Sequence, residues 1–505
     1  MKPCPCSTCG TPPVSKRRPP SCPPPHRPAL LCLVLAVLAC AVAEAGGFHV
    51  SLVGGRRSAM LANLAAPDDA TAICHNPAGL PDLDGARLEM FGAAAFLHNE
   101  FRMMALDPER YPEINPGRCG EASRPPCPWP VGEDGYYART LAPESTFGVV
   151  PFLGFTTGLG ILSNGLGDLA CGVSVHAPNF YGGTMAAEGP AAYSMTDGYF
   201  LVLATTFAVG WRVSDRVSLG FNVSHNYMRL RYGRRASLAD ALTPPGEDPG
   251  TLATAVQNVF GDALLDYTGV DHGAGWTVSM LVRPAPWLSL ALAYTASSPA
   301  TFSGPLALRP TREGVDSFAE LEALGVELPR GLEIRMPVPP ALHVGLLAMP
   351  HLRLEIGLDA RFWFYTVYER QDVRPLYGGE QTGLRPLTAE SLSRRKDHDV
   401  TYELALGLLF RPPGLGEDVE LMAGAGYDQS PVPDEHFSLD NPSLSTVLLS
   451  GGVRWSMTDH WRATLAYVGM IFVPRDIRTS RTSPPTNGQG GGHNHMPSLE
   501  IEYRF

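Results

Sequence analysis

Apolar and polar residues alternate with a period of two over most of the chain beyond residue 85. Between residues 352 and 364, Leu352, Leu354, Ile356, Leu358, Phe362 and Phe364 fall on one face, and Arg353, Glu355, Asp359 and Arg361 on the other. Tyr402, Leu404, Leu406, Leu408 and Phe410 repeat the pattern. The chain ends on Leu499, Ile501, Tyr503 and Phe505 against Glu500, Glu502 and Arg504. This period predicts strands with two unlike faces. About fourteen are expected, starting near Leu88, Phe147, Asp168, Tyr199, Val217, Trp276, Leu288, Pro340, Leu352, Val400, Val419, Ser445, Trp461 and Ser498. Connections after even-numbered strands are mostly short and those after odd-numbered strands are long. A soluble sandwich would hide the apolar faces between two sheets and gives no reason for that alternation. A membrane barrel turns them to lipid, needs an even strand number, and has short periplasmic turns and long outer loops. Aromatic residues near strand ends, such as Trp455, Trp461, Tyr467 and Tyr503, fit interfacial girdles. The expected fold is therefore all-β: an antiparallel transmembrane β-barrel of about fourteen strands.

Two outer loops switch to helical spacing. Leu252, Val256, Val259, Phe260 and Leu264 recur at helical intervals over Thr251 to Tyr267, and Phe318, Leu321 and Leu324 over Ser317 to Leu328. These read as short amphipathic helices. Their apolar residues Phe260, Leu264, Phe318 and Leu321 either pack on one another or form an apolar landing site at the mouth.

Composition narrows the class. Of 505 residues, 53 are Gly and 48 are Pro, nearly twice the usual share, which suits many turns. With 18% charged residues and a mean hydropathy of -0.03, the chain is too apolar for disorder and too polar for a bundle of spanning helices. Its first 45 residues read as a secretory leader: Lys16, Arg17, Arg18 and Arg27, then the apolar run Ala29 to Ala43, then Ala43-Glu44-Ala45 as a cleavage site. Cys40 sits in a poor lipoprotein box, because Leu38 is bulky for its place. Removing the leader takes away five basic residues and one acid and moves the net charge from -11 to -15. An acidic exported chain argues against nucleic acid as a partner. Four cysteines remain. Cys119 and Cys127 bracket a Pro-rich loop and are expected to pair. Cys74 and Cys171 are open between a tether and two separate thiols.

The sequence holds no phosphate-binding loop, no nucleophile elbow and no zinc-protease motif. Ser224 and His225 are adjacent, so a strand puts them on opposite faces. His493 and His495 lie in the Gly-rich stretch NGQGGGHNH, read as a solvated loop rather than a metal site. No enzyme, metal or cofactor is expected.

Between the leader and the first strand the chain carries Asp68-Asp69-Ala70-Thr71-Ala72 and Asn76-Pro77-Ala78-Gly79-Leu80. Further on stand GWTVSMLVRPAPWLSLALAYTASSPATFSG from Gly275, MPVPPALHVGL from Met336 and YDQSPVPDE from Tyr427. Together these resemble the outer-membrane long-chain fatty-acid transport family (FadL/TodX), over nearly the whole chain from Gly46 to Phe505. The resemblance implies residues 46–84 as an N-terminal hatch plugging the lumen and residues 85–505 as the barrel, in the outer membrane of a Gram-negative bacterium. It also implies an exit through the wall near the third strand, where Gly172 suits a kink. Asp68, Asp69, Asn76, Pro77 and Ala78 become hatch and gating residues, with the Asn76 amide tied to wall backbone. The implied function is passive uptake of hydrophobic small molecules by a monomer, long-chain fatty acids first, with aromatic hydrocarbons or a closed adhesive barrel as alternatives. A fatty-acid carboxylate wants a cation. Arg353, Arg361 and Arg454 on polar strand faces are the candidates, each with pairing to a lumen acid as the competing role. Arg229 and Arg231, near the outer end of a strand, are assigned to lipopolysaccharide instead.

Overall fold

The computed structural model describes residues 52–111, 113–115, 128–144, 147–159, 167–243, 250–415, 418–440 and 442–505. Leader, cleavage site, Cys40, Cys119 and Cys127 lie outside them.

Fourteen strands form the wall: β1 (Ala86–Met103), β2 (Phe147–Gly158), β3 (Asp168–Thr184), β4 (Asp197–Ser214), β5 (Val217–Ala236), β6 (Ala263–Ala285), β7 (Leu288–Ser297), β8 (Ala341–His351), β9 (Leu354–Phe364), β10 (Val400–Phe410), β11 (Val419–Asp428), β12 (Thr446–Ser456), β13 (Trp461–Phe472) and β14 (Gly488–Arg504). Each pairs antiparallel with the next. β14 returns to β1 from Arg504↔Arg87 to Gly488↔Met103, which closes the barrel. Above the wall, short outer ladders add Ala300–Pro310, Gly331–Met336, Arg370–Leu376, Arg394–Arg395 and Arg475–Ile477. No helix among the described residues is long and apolar enough to cross a membrane.

The polarity is inverted relative to a soluble protein. Leu404, Leu406, Leu408 and Phe410 are 41–46% exposed, whereas Glu403, Glu500 and Glu502 are at most 3% exposed. Apolar side chains point outward to lipid, and charged ones fill the inside.

Two strands begin well before their expected starts. β6 begins at Ala263 rather than near Trp276, and β14 at Gly488 rather than near Ser498. The reason is the same in both. The Gly-rich outer ends, Gly269 to Gly275 and Gly488 to Gly492, pair with long neighbours that continue above the membrane. His493 and His495 are therefore strand residues, not loop residues. The loop helices are shorter than expected. α4 (Thr251–Phe260), which follows the hatch helices α1 (Gly55–Met60) and α2 (Ala72–His75) and the short α3 (Leu238–Ala241), stops at Gly261, whose φ of 71° breaks it. Leu264 thus belongs to β6, and the second helix reduces to α5 (Ala319–Ala323).

Residues 52–84 fold inside the barrel. α1 is wholly buried, and α2 and a 3₁₀ turn at Pro77–Asp82 are buried at Ala72, Ile73 and Pro77 to Leu80. A Cβ at Gly172 would stand 2.6 Å from Ile73 of α2, so position 172 faces the lumen. By the period of two, Cys171 then faces lipid. Cys74 is inside, its thiol bonded to the Thr71 carbonyl at 3.1 Å, and both cysteines are free. In a Cys119→Ser, Cys127→Ser background, copper-phenanthroline oxidation of the folded, leader-free protein is expected to leave two thiols titratable after denaturation. Loss of both, with faster migration on a gel, would contradict this placement.

Candidate functional site

Two adjacent arginines of α1 organise the lumen. Arg56 is 2.6 Å from Asp68 of its own segment and 2.6 Å from Glu355 on β9. Arg57 reaches Asp359 on β9 at 3.1 Å and Glu403 on β10. Asp68 answers with Arg454 on β12 at 2.7 Å. Glu500 on β14 accepts from the Gly55 N–H at 2.6 Å, and Glu89 on β1 from the Ala70 N–H at 2.7 Å. Asn222 on β5 donates to the Ile73 carbonyl at 2.7 Å. Arg212 on β4 and Arg283 on β6 both pair with Asp82. The hatch is thereby fastened around the barrel's circumference. Arg56 and Arg57 were readable only as two adjacent charges, because their wall partners lie about 300 or more residues away in sequence.

Wall glycines make the contact possible. A Cβ at Gly407 would meet Met60 at 2.4 Å, and one at Gly220 would stand 2.0 Å from the Ala78 nitrogen. The hatch backbone rests directly on strand backbone there.

Asn76, Pro77 and Ala78 sit at this seat, Asn76 and Ala78 with no exposed surface. The Asn76 amide does not reach the wall. Its Nδ2 donates to Leu64 O at 2.7 Å within the hatch, and its Oδ1 accepts from the Ala78 N–H at 3.2 Å. The wall bond is made one step further on, from the Ala78 N–H to Ser279 Oγ on β6 at 3.0 Å. Burial opposes charge on Asp68, but Arg454 and then Arg56 outweigh it and hold its carboxyl well below the usual range. Asp69 accepts from the Thr71 N–H at 3.0 Å, and burial, then Asp68, push its carboxyl up.

Three cavities lie beside and above the hatch. An outer groove of about 390 Å³ is lined by Leu238, Phe318, Leu321 and Leu328. It adjoins a vestibule of about 580 Å³ with Leu230, Leu332, Ile334 and Met336 in its wall. Met336 also lines an inner chamber of about 140 Å³, bounded by Phe200, Met228, Trp363 and the hatch residues Val53 and His75. His75 bonds the Val53 carbonyl at 2.8 Å, and burial lowers it to about 3, so it stays neutral in any physiological medium. Arg234, Arg394 and Arg481 line both outer cavities. Among the described residues no carboxylate lies within ion-pair distance of these three. Burial, then the Arg234 charge, pushes Arg394 down to about 10, still cationic at neutral pH.

The wall parts beside the chamber. β2 and β3 pair from Gly158↔Ala170 to Phe152↔His176, and there the ladder ends. β2 continues along β1 to Phe147, and β3 along β4 to Thr184, past a bulge at Ala177–Pro178. Pro151 and Pro178 stand at the parting, and neither has an N–H to give. The Glu144 N–H on the Thr184 carbonyl, 2.9 Å, bounds the gap above.

The three strand arginines have different fates. Arg353 is exposed in the β8–β9 turn, away from the lumen, because the strand begins one residue after it. Arg454 is buried against Asp68 and Glu420 as a hatch anchor. Arg361 pairs with Glu403 at 3.2 Å, yet lines the chamber. Phe260, Phe318 and Leu321 pack on one another, while Phe318 and Leu321 also face the outer groove and Leu264 stands apart on β6. The cations without acidic partners are instead Arg234, Arg394 and Arg481, visible in sequence but indistinguishable there from solvated loop charge.

Asp68→Asn would leave Arg56 and Arg454 facing each other. It is expected to cost about 3 kcal/mol of unfolding free energy in detergent. A depressed carboxyl supplies stability above its unfolded value that is lost only as pH falls through its folded one. Wild-type hatch protection in amide exchange should therefore hold from pH 7 to pH 5.

No curated protein matches the sequence. The structure is similar to a Pseudomonas aeruginosa FadL homologue, with TM-score 0.70 at 17% identity over 91% of this chain and 100% of that one. It is also similar to the Ralstonia pickettii toluene transporter TbuX (0.58, 16%, 90% and 99%) and the Pseudomonas putida toluene transporter TodX (0.58, 14%, 91% and 100%). The sequence matches the description "Outer membrane protein transport protein (OMPP1/FadL/TodX)" over residues 36–505. With its closed lipid-facing barrel and filled lumen, the chain belongs to that family of outer-membrane transport proteins.

Proposed function

We propose that this channel takes up hydrophobic molecules bearing a carboxylate, long-chain fatty acids first. One observation carries the reading: Arg234, Arg394 and Arg481 stand without acidic partners above the apolar surface of Leu230, Leu332 and Ile334. Two half-buried cations, Arg234 and Arg394, and the exposed Arg481, all without counter-ions, favour an anionic head, and the apolar surface favours its tail. The molecule lands on the groove at Phe318 and Leu321, binds in the vestibule, and passes Met336 into the chamber. The chamber is too small for a whole long chain, so the tail threads through it. The hatch blocks the straight path, and the parted edges of β2 and β3 offer a sideways one. Transport is downhill and needs no cofactor.

A second reading has its own observation. The chamber's 140 Å³ is close to the roughly 150 Å³ of an apolar cavity that binds benzene, so a monoaromatic hydrocarbon would fit whole.

The test is uptake in a Gram-negative host lacking its own fatty-acid channel, with insertion confirmed by heat-modifiable migration. Wild type should restore labelled oleate uptake. Arg234→Gln with Arg394→Gln should lower it about tenfold at limiting oleate and leave toluene permeation unchanged. Asn76→Ala, which loosens the hatch seat, should change both. Insertion without oleate uptake, or an indifferent double variant, would transfer the case to hydrocarbons.

A further inference from the structure

Toward its outer end, the lipid-facing side of β5 and β6 turns from apolar to largely polar. On β5, Leu219, Phe221 and Val223 are 39–49% exposed to the outside, and on β6, Trp276, Val278 and Met280 are 38–44% exposed. Continuing outward on the same face come His225, Tyr227 and Arg229 on β5, and Ala274, His272 and then the apolar Val270 on β6. A strand tilted by about 40° climbs about 2.5 Å per residue, so an apolar band of about 25 Å takes about ten residues. His225, Tyr227 and Arg229 lie eight, ten and twelve residues beyond Val217, where β5 starts. They straddle the upper edge of that band, at the level of the outer-leaflet headgroups.

Their arrangement is specific. His225 Nε2 and His272 Nδ1 are 3.2 Å apart, with ring centroids at 5.3 Å, and Tyr227 sits edge-on to His272 at 5.4 Å. Tyr227 is opposite His272 in the ladder, which makes Arg229 its diagonal neighbour, within reach of a long side chain. Arg231, two residues on, is taken up by Asp197 at 2.9 Å and Asp266 at 3.7 Å. Arg229 has no carboxylate in ion-pair range among the described residues.

We infer that this patch binds the phosphate of a phosphorylated outer-leaflet lipid headgroup. A guanidinium offers a fork of donors to phosphate oxygens, and imidazole and phenol donors beside it complete a cradle that a carbohydrate headgroup without phosphate would not fill. A second outward cluster supplies the internal comparison. His98, His493 and His495 have ring centroids 4.9–6.0 Å apart, but the nearby Arg102 is occupied by Asp134 at 2.7 Å.

Detergent-purified full-length protein, freed of its leader, is titrated by native mass spectrometry with diphosphorylated lipid A, dephosphorylated lipid A and inorganic phosphate. Wild type should prefer the diphosphorylated lipid at least about tenfold over the dephosphorylated one, with phosphate alone competing weakly. Arg229→Gln should abolish the preference, His225→Asn with His272→Asn should reduce it, and His493→Asn should leave it intact. Equal binding of the two lipids, an unaffected Arg229→Gln, or an equal loss in His493→Asn overturns the inference. Competition by free phosphate as effective as the lipid would also do so, because the site would then be an anion site and not a lipid site. Heat-modifiable migration of each variant excludes misfolding as the cause.

Discussion

Everything inside this barrel depends on charge buried against charge. Arg56 and Arg57 are at most 2% exposed, and their wall partners Glu355 and Glu403 little more. Desolvating such groups costs several kcal/mol each, and only close pairing returns it. The hatch therefore has a seat in which these charges meet their counter-ions, and any shift strands several of them at once. An apolar plug would be equally stable in many orientations. An ionic one is specific, because Arg56 and Arg57, neighbours in sequence, address different acids across β9 and β10.

That lattice also explains the wall's composition. Lumen-facing acids that look wasteful in a transporter of apolar molecules are hatch sockets, and the lumen-facing glycines are clearance for hatch backbone. The conduit is left with what the hatch does not occupy: the side bounded by β4 to β9, where Phe200, Met228, Met336 and Trp363 enclose the chamber.

The barrel was legible in the sequence because its constraint is local. Lipid on one side and charge on the other impose period two, and the two-sided architecture imposes alternating loop lengths, so the strand number emerged from pattern alone. The outer ends of β6 and β14 were missed because glycine carries no face, and Gly269 to Gly275 and Gly488 to Gly492 show no alternation to read. The site was less legible because its constraint is global. Arg454 and Arg361 look alike on their strands, and only the hatch's position makes one an anchor and leaves the other at the chamber. Asn76 was found by motif, but its bond runs to Leu64 within the hatch, and the wall bond falls to a backbone N–H that no sequence reading would single out.

A closed barrel has no edges, which is how such sheets avoid pairing with strangers. Here two edges reappear inside the wall, where β2 and β3 part. Left bare, they would zip together or recruit another strand. Pro151 and Pro178 have no N–H to offer at the parting, and β3 carries a bulge against β4 at Ala177–Pro178. The opening is therefore not a place where pairing failed to finish. It coincides with residues that cannot continue the ladder, Pro151 and Pro178.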